Sequence, residues 1–265
     1  MSESPSKQFP YPELPQGNAI RLLLLSPGNF SDPIVCTLSS VHFSSKPKYT
    51  ALSYTWDDQN ASQAALLISA PPPTRSTFTI LINGHRFAVR RNLHLALLHL
   101  RSATHPLTLW VDAICINQKD LKERSHQVAI MAFVYNQAEV VISWLGAKKY
   151  RDGNDLIDQM QEEWTSGKTK TFAAWRAGEV GIKYSGNPSR DELNHIETNP
   201  YWSRIWVIQE VCLARQLVFA YGSSLWHYND VKDWRFLKSS WEELGEKMQG
   251  DEAQTEEEST GEEAA

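Results

Sequence analysis

An α/β domain with a mostly parallel sheet flanked by helices is the fold class this sequence predicts, and three observations predict it. Two continuous apolar runs of strand length, LWVDAICI (Leu109 to Ile116) and Val140 to Leu145, read as strands covered on both faces. The stretch between them repeats its apolar residues at helical spacing, and strand, helix, strand in that order means a right-handed βαβ unit. With 265 residues, 42% of them hydrophobic, and Trp 10, Tyr 9 and Phe 9, the chain can bury a large core.

Each element has its own justification. Residues 1–18 carry Pro5, Pro10, Pro12 and Pro15 and read as a disordered or draped arm. Ile20 to Leu25 is the first strand, Val35 to His42 the second, and Tyr49 to Trp56, which alternates small and aromatic residues, the third. A polar loop runs from Asp57 to Ala64. Phe78 to Val89 places Asn83-Gly84 between two β-rich runs, the strongest short hairpin signal. Asn92 is expected to cap a helix with an apolar stripe of Leu93, Leu97, Leu98 and Leu100. After the Leu109 to Ile116 strand, Asp120 and Glu123 form a D-x-x-E capping box for one helix carrying Leu121, Val128, Met131, Tyr135 and Ala138. Gly146 closes the Val140 to Leu145 strand. Residues 147–198 are polar, Gly-rich and Lys-rich and read as an insertion, with a helix around Leu156 to Trp164. An apolar helix from Trp202 to Ala214, a strand at Leu217 to Tyr221 and a mostly helical segment from His227 to Met248 follow. The expected organisation is a single domain over 19–248 with its core at 49–222, then an acidic disordered tail over 249–265.

The formal charge of -5 belongs to that tail. Asp251, Glu252, Glu256, Glu257, Glu258, Glu262 and Glu263 sit there without a Lys or Arg, and removing these seven from 31 leaves 24 acids against 26 bases. Neither a nucleic-acid surface nor a polybasic membrane patch is indicated. Cys36, Cys115 and Cys212 are odd in number and widely spaced, which reads as reduced thiols. The N-terminus lacks a secretory pattern and the run IRLLLL is too short to span a bilayer, so the expectation is a soluble, cytoplasmic protein.

Two carboxylates stand out. Glu210 is the lone acid of an almost wholly apolar segment, NPYWSRIWVIQEVCLA from Asn199, and a charge in such a setting must be paired or used. Helical spacing puts Ser203, Trp206, Val207 and Glu210 on one face. An indole beside a carboxylate suits a site that holds a ring or sugar and stabilises developing positive charge. The plainer alternative is an ion pair with Arg204, Arg215 or a distant base that anchors the helix. Asp112 lies inside the buried LWVDAICI run, either as a structural pin or as part of a site. Asn117 and Gln118 follow that strand where ligands of open α/β sheets bind, and Ser53, Tyr54 and Trp56 end another strand beside the same crevice. His94 and His99 are five apart, the wrong spacing for a shared metal face, and HExxH and CxxC are absent, so no metal is expected. GxGxxG, GxxxxGK[ST] and GxSxG are absent as well, and Cys115 with His126 reads as buried packing before it reads as a thiol pair.

Three blocks, YTALSYTWDD (Tyr49 to Asp58), LWVDAICINQKDLKERSHQVAIMAFVYNQAEVVISWLG (Leu109 to Gly146) and NPYWSRIWVIQEVCLA (Asn199 to Ala214), together closely resemble the fungal heterokaryon-incompatibility (HET) domain family. The likeness runs from about Tyr49 to Ala214, with one departure: SYTWDD stands where the family usually has Gly after Trp. The resemblance implies a cell-death or allorecognition module of innate-immunity type, related in fold to Toll/interleukin-1-receptor (TIR) domains with their flavodoxin-like sheet. It implies further that Glu210 matches the catalytic glutamate of those TIR domains that cleave NAD, which would make the chain an NAD+ nucleosidase with NAD as substrate and no resident cofactor. On that reading Trp206 stacks on a ring while Ser53, Tyr54 and Asp112 complete the pocket. The second class of function is a non-enzymatic signalling module that works by self-association, or by binding an upstream receptor or allelic incompatibility partner.

Overall fold

The computed structural model describes residues 9–56, 77–147, 188–204, 206–222 and 224–231. Nine strands form one sheet among these residues: β1 (Ala19–Leu25), β2 (Val35–His42), β3 (Thr50–Tyr54), β4 (Thr77–Ile82), β5 (His85–Arg90), β6 (Leu107–Trp110), β7 (Val140–Trp144), β8 (Leu217–Tyr221) and β9 (Ser224–His227), in the order β5-β4-β2-β1-β6-β3-β7-β8-β9. The flanking helices are α1 (Arg91–Leu100), the single turn α2 (Asp112–Cys115), α3 (Leu121–Ala129), α4 (Met131–Gln137), α5 (Arg190–Glu197), α6 (Val207–Cys212) and α7 (Tyr228–Val231). The class is α/β.

A mostly parallel sheet is the expectation; the observed sheet is mixed. Parallel pairing is confined to the block β6-β3-β7-β8 and to β2 with β4, while β1 pairs antiparallel with both β2 and β6, and the β4/β5 and β8/β9 pairs are antiparallel. The reason is connection length. Parallel neighbours need a crossover of a dozen or more residues, whereas β1/β2, β4/β5 and β8/β9 are consecutive strands joined by shorter connections, which pair antiparallel.

Burial follows the position of each strand. In β3, β7 and β8 every residue is buried, as in a sheet covered on both faces. Towards the edge, β2 alternates, with Cys36 and Leu38 inside and Val35, Thr37 and Ser39 outside. The hairpin forms as expected: Asn83 and Gly84 take φ of 51° and 78°, the left-handed pair that a two-residue turn matching strand twist requires. Asn83 also exchanges two hydrogen bonds with the backbone of Leu38, so its side chain ties the turn to β2.

Four local expectations are corrected. The LWVDAICI run is a strand only to Trp110; the chain then turns into α2, so Asp112 opens a helical turn and does not sit mid-strand. Asn92 does not cap α1, which begins at Arg91. Buried in the first turn, its amide donates to the Thr55 carbonyl at 2.7 Å and accepts from Trp144 Nε1 at 2.9 Å, joining α1, β3 and β7. The helix expected after Asp120 is two, broken at Ile130; Asp120 does cap the first, accepting from the Glu123 amide. The segment expected as one helix from Trp202 to Ala214 is a 3₁₀ turn (Pro200–Ser203), an extended Arg204, then α6. The expected helix at 156–164 and the acidic tail lie outside the described residues. Of the arm, residues 9–18 run against the domain, where Arg21 donates to the Pro12 carbonyl, Ser40 donates to the Glu13 carbonyl and Phe9 meets Phe87 edge to face.

Candidate functional site

At the carboxyl ends of the parallel block, the strand that follows β3 in the chain, β4, lies to one side of the β3/β7 pair and the strand that follows β7, β8, to the other, the arrangement in which such a sheet binds ligands. A cleft of about 480 Å³ lies there, lined by Thr55 and Trp56 beyond β3, Asp112 and Gln118 beyond β6, Arg124, Val128 and Met131 from α3 and α4, and Pro200, Arg204, Trp206 and Glu210.

Behind the cleft runs a hydrogen-bonded chain that ends on Glu210. Ser53 of β3 and Ser143 of β7 are register partners, and both are buried. The Tyr201 hydroxyl donates to Ser143 Oγ at 2.8 Å and lies 2.6 Å from Ser53 Oγ, while the Ser53 hydroxyl donates to Glu210 Oε2. Asn199 places Tyr201: its side chain accepts from the Tyr201 amide and donates to the Leu145 carbonyl. Burial, reinforced by the negative charge of Glu210, pushes the Tyr201 hydroxyl well above the ordinary phenol range, so it stays protonated.

Glu210 is 1% exposed, and its second partner is Arg204, whose two terminal nitrogens reach the two carboxylate oxygens at 3.2 Å each. Arg204 is the more accessible member, with 21% of its side chain exposed to the cleft. The break before α6 makes this pair. Six residues apart on an unbroken helix the two side chains would point about 240° apart around the axis; the extended backbone at Arg204 (ψ 126°) folds the guanidinium back over Glu210 and within 5.8 Å of the Tyr201 ring centroid. Trp206 keeps the expected relation to Glu210, one turn before it with the Glu210 amide donating to its carbonyl, and is 44% exposed. Ser203 does not join that face; its hydroxyl donates to the Pro200 carbonyl.

Asp112 forms the opposite wall. Oδ2 accepts from Trp56 Nε1 at 2.8 Å and Oδ1 from the Ala113 amide at 2.6 Å. Burial pushes its carboxyl up to about 6, and the Glu210 charge adds to the rise, while the two hydrogen bonds and Arg204 oppose it. The Arg90 guanidinium lies over the Trp56 ring, 5.5 Å from its centroid. Gln118 donates to the Asp112 carbonyl at 2.9 Å and fixes the turn that carries it.

Of the residues singled out from sequence, Trp56, Asp112, Gln118, Trp206 and Glu210 meet at the cleft. Ser53 lies behind Glu210, and Tyr54 is 3% exposed, its hydroxyl pushed far above its ordinary value by burial; neither lines the cleft. Asn117 points elsewhere. Its backbone N–H donates to Glu123, which is ion-paired with the buried Arg21 at 2.6 Å, and it lines a separate polar groove beside the arm. Arg204 and Arg124 are the charged cleft residues that sequence reasoning did not place in a site. The signal for Arg204 was its place between two tryptophans six residues before Glu210; an exposed arginine on α3 carries no such signal. Cys36 and Cys115 are buried free thiols, and burial pushes both up to about 12, which suits packing and not nucleophilic chemistry. Cys212 is free and exposed. Among the described residues no group of three or more His, Cys, Asp or Glu could hold a metal ion, and no helix is long and apolar enough to cross a membrane.

Residues 49–210 match the family model described as heterokaryon incompatibility protein (HET), an interval that opens at the residue before β3 and closes on Glu210. The chain is also 29% identical over 227 residues to heterokaryon incompatibility protein 6, OR allele, of Neurospora crassa, a match covering 77% of this chain and 33% of that protein. It therefore spans about a third of the length of the curated relative it matches. No solved structure matches. With more than half of its residues inside the family model, and the cleft walls drawn from that same interval, the chain belongs to the heterokaryon-incompatibility (HET) family.

Proposed function

We propose that the chain is a heterokaryon-incompatibility effector module of TIR-like architecture, acting in cell death, and that its cleft cleaves NAD between nicotinamide and ribose. The observation that carries this reading is the convergence of two carboxylates and two indoles, Asp112, Glu210, Trp56 and Trp206, on one cleft at the carboxyl ends of parallel strands. Taken in chain order, the strands β6-β3-β7-β8 read 2-1-3-4, the flavodoxin-like order, which supports the TIR relation. The name of the Neurospora relative supports a role in heterokaryon incompatibility.

Two acids divide the work of the reaction. The bond between C1′ and the pyridinium nitrogen breaks with its electron pair going to nicotinamide, which leaves neutral and needs no proton. Positive charge then appears on the ribose as an oxocarbenium ion, and a fixed anion beside it lowers the barrier. Glu210 is that anion. Asp112, with a carboxyl near 6, is ionised at neutral pH yet basic enough to take the proton of the attacking water. Trp206, half out of the protein, offers a face for the ring.

Nicotinamide release by the purified protein and its E210Q variant, under crowding that promotes assembly, tests the reading. Release by the wild type and a rate at least about a hundredfold lower in E210Q are expected, the cost of removing one preorganised electrostatic group. Equal rates overturn it. One observation favours a second reading, a scaffold that signals by self-association or partner binding: both Glu210 oxygens are already satisfied, by Arg204 and Ser53. Discrete oligomers from a preparation that leaves NAD intact would favour the scaffold.

A further inference from the structure

The Arg204–Glu210 pair poses a problem for a site that needs Glu210 as a bare anion. A guanidinium bound to both oxygens cancels much of the field that an oxocarbenium ion would feel. The pair is lopsided, however. Glu210 is sealed at 1% exposure and held from behind by Ser53, whereas Arg204 reaches it from the cleft and keeps 21% of its side chain accessible. One member can move away without opening the core, and that member is the cation.

A second cation faces the same cleft. Arg124 of α3 is exposed, lines the cleft, and makes no side-chain hydrogen bond or ion pair among the described residues. Two guanidiniums beside a flat indole suit a ligand that carries a diphosphate and a ring, because guanidinium forks match phosphate oxygens. Glu210 and such a ligand would compete for the same donors.

We infer that Arg204 is a positioning residue exchanged between Glu210 and the diphosphate of the incoming ligand: the ligand's phosphates, helped by Arg124, draw the guanidinium off Glu210 and so unmask the carboxylate only when the cleft is filled. The inference rests on the ligand-cleft reading above and adds a requirement to it. Phosphate-free nucleosides leave Arg204 in place and the acid masked, so specificity for a dinucleotide follows from an ion pair and not from a phosphate loop. The idle site is silent because its acid is neutralised.

The exchange predicts a sign that a purely structural ion pair would not produce. Removing the charge of Glu210 removes the competitor, so E210Q should bind ADP-ribose roughly tenfold more tightly than the wild type by titration calorimetry, a modest share of a charge-assisted fork. Adenosine, without phosphates, should bind both proteins equally and at least about tenfold more weakly than ADP-ribose binds the wild type. The double variant R204Q/E210Q, with a neutral amide pair in the same volume, should lose the gain. Unchanged or weaker ADP-ribose binding in E210Q overturns the exchange, as do equal affinities for adenosine and ADP-ribose or no ADP-ribose binding to either protein. If the double variant melts below the assay temperature, the E210Q comparison decides alone. Nicotinamide release from the same wild-type preparation separates the two ideas. Tightening without release leaves the diphosphate site and removes the cleavage; release without tightening leaves the cleavage and removes the exchange.

Discussion

Asp112 holds its proton to an unusually high pH because desolvation and the Glu210 charge outweigh the Trp56 and Ala113 hydrogen bonds and the Arg204 charge. An acid raised in this way is neutral below its new pKa, so the cleft gains a negative charge as pH rises through about 6, and its affinity for a cationic ring rises over the same interval. Linkage has the matching sign: Asp112 contributes stability in full below the ordinary aspartate range, and that contribution is lost as pH rises through about 6. The Trp56 indole reports the event directly, since its Nε1 donates to the titrating carboxyl. Its ¹H–¹⁵N resonance should titrate with a midpoint near 6, and E210Q should move that midpoint down; a midpoint in the ordinary aspartate range, or an upward shift, would contradict the electrostatics. At this scale the sequence was readable where a residue was chemically out of place. Glu210 and Asp112 stood out as charges in apolar runs. Asn92 misled, because an Asn before a leucine-rich helix looks like a cap whether or not its amide is committed to Thr55 and Trp144.

Elements were legible where a local signal has one structural meaning. Asn-Gly between two β-rich runs requires left-handed backbone at both positions, and the hairpin has it. Substitution there should separate two contributions. G84A meets open space, so it should cost only the left-handed backbone penalty of about 1–2 kcal/mol, read by denaturant unfolding. N83A also removes two hydrogen bonds to Leu38 and should cost about 2–3 kcal/mol; equal losses would mean the side-chain tie carries nothing. The LWVDAICI run and the segment before Glu210 were misread for a shared reason. A short apolar run cannot be told from a buried helical turn by periodicity, and an apolar segment without a strong breaker looks continuous. In both places tertiary demands end the element: at Val111 the chain turns back over the sheet, and at Arg204 it opens so that the guanidinium can meet Glu210. Neither demand is visible within the segment. The single turn α2 carries Asp112 to the cleft, and the break at Arg204 closes the opposite wall, so the site depends on the two places where local pattern failed.

For the whole molecule, the parallel block was legible because fully buried strands are almost wholly apolar, as β8 is throughout and β7 is apart from Ser143. Outside the β4/β5 hairpin the added strands were not, since β1 with β6 (antiparallel) and β2 with β4 (parallel) are non-local pairings that no spacing encodes. The block decides where the cleft opens; the additions widen the sheet away from it. Trp56 and Trp206 belong to that opening, while Trp110 and Trp144 are sealed in the core. The most direct test of the central claim, that this cleft is where a dinucleotide binds, follows the tryptophan indole ¹H–¹⁵N resonances of E210Q during titration with NAD. The account predicts that Trp56 and Trp206 shift together and saturably while Trp110 and Trp144 stay in place. Shifts confined to other tryptophans, or no shift at millimolar NAD, would contradict it.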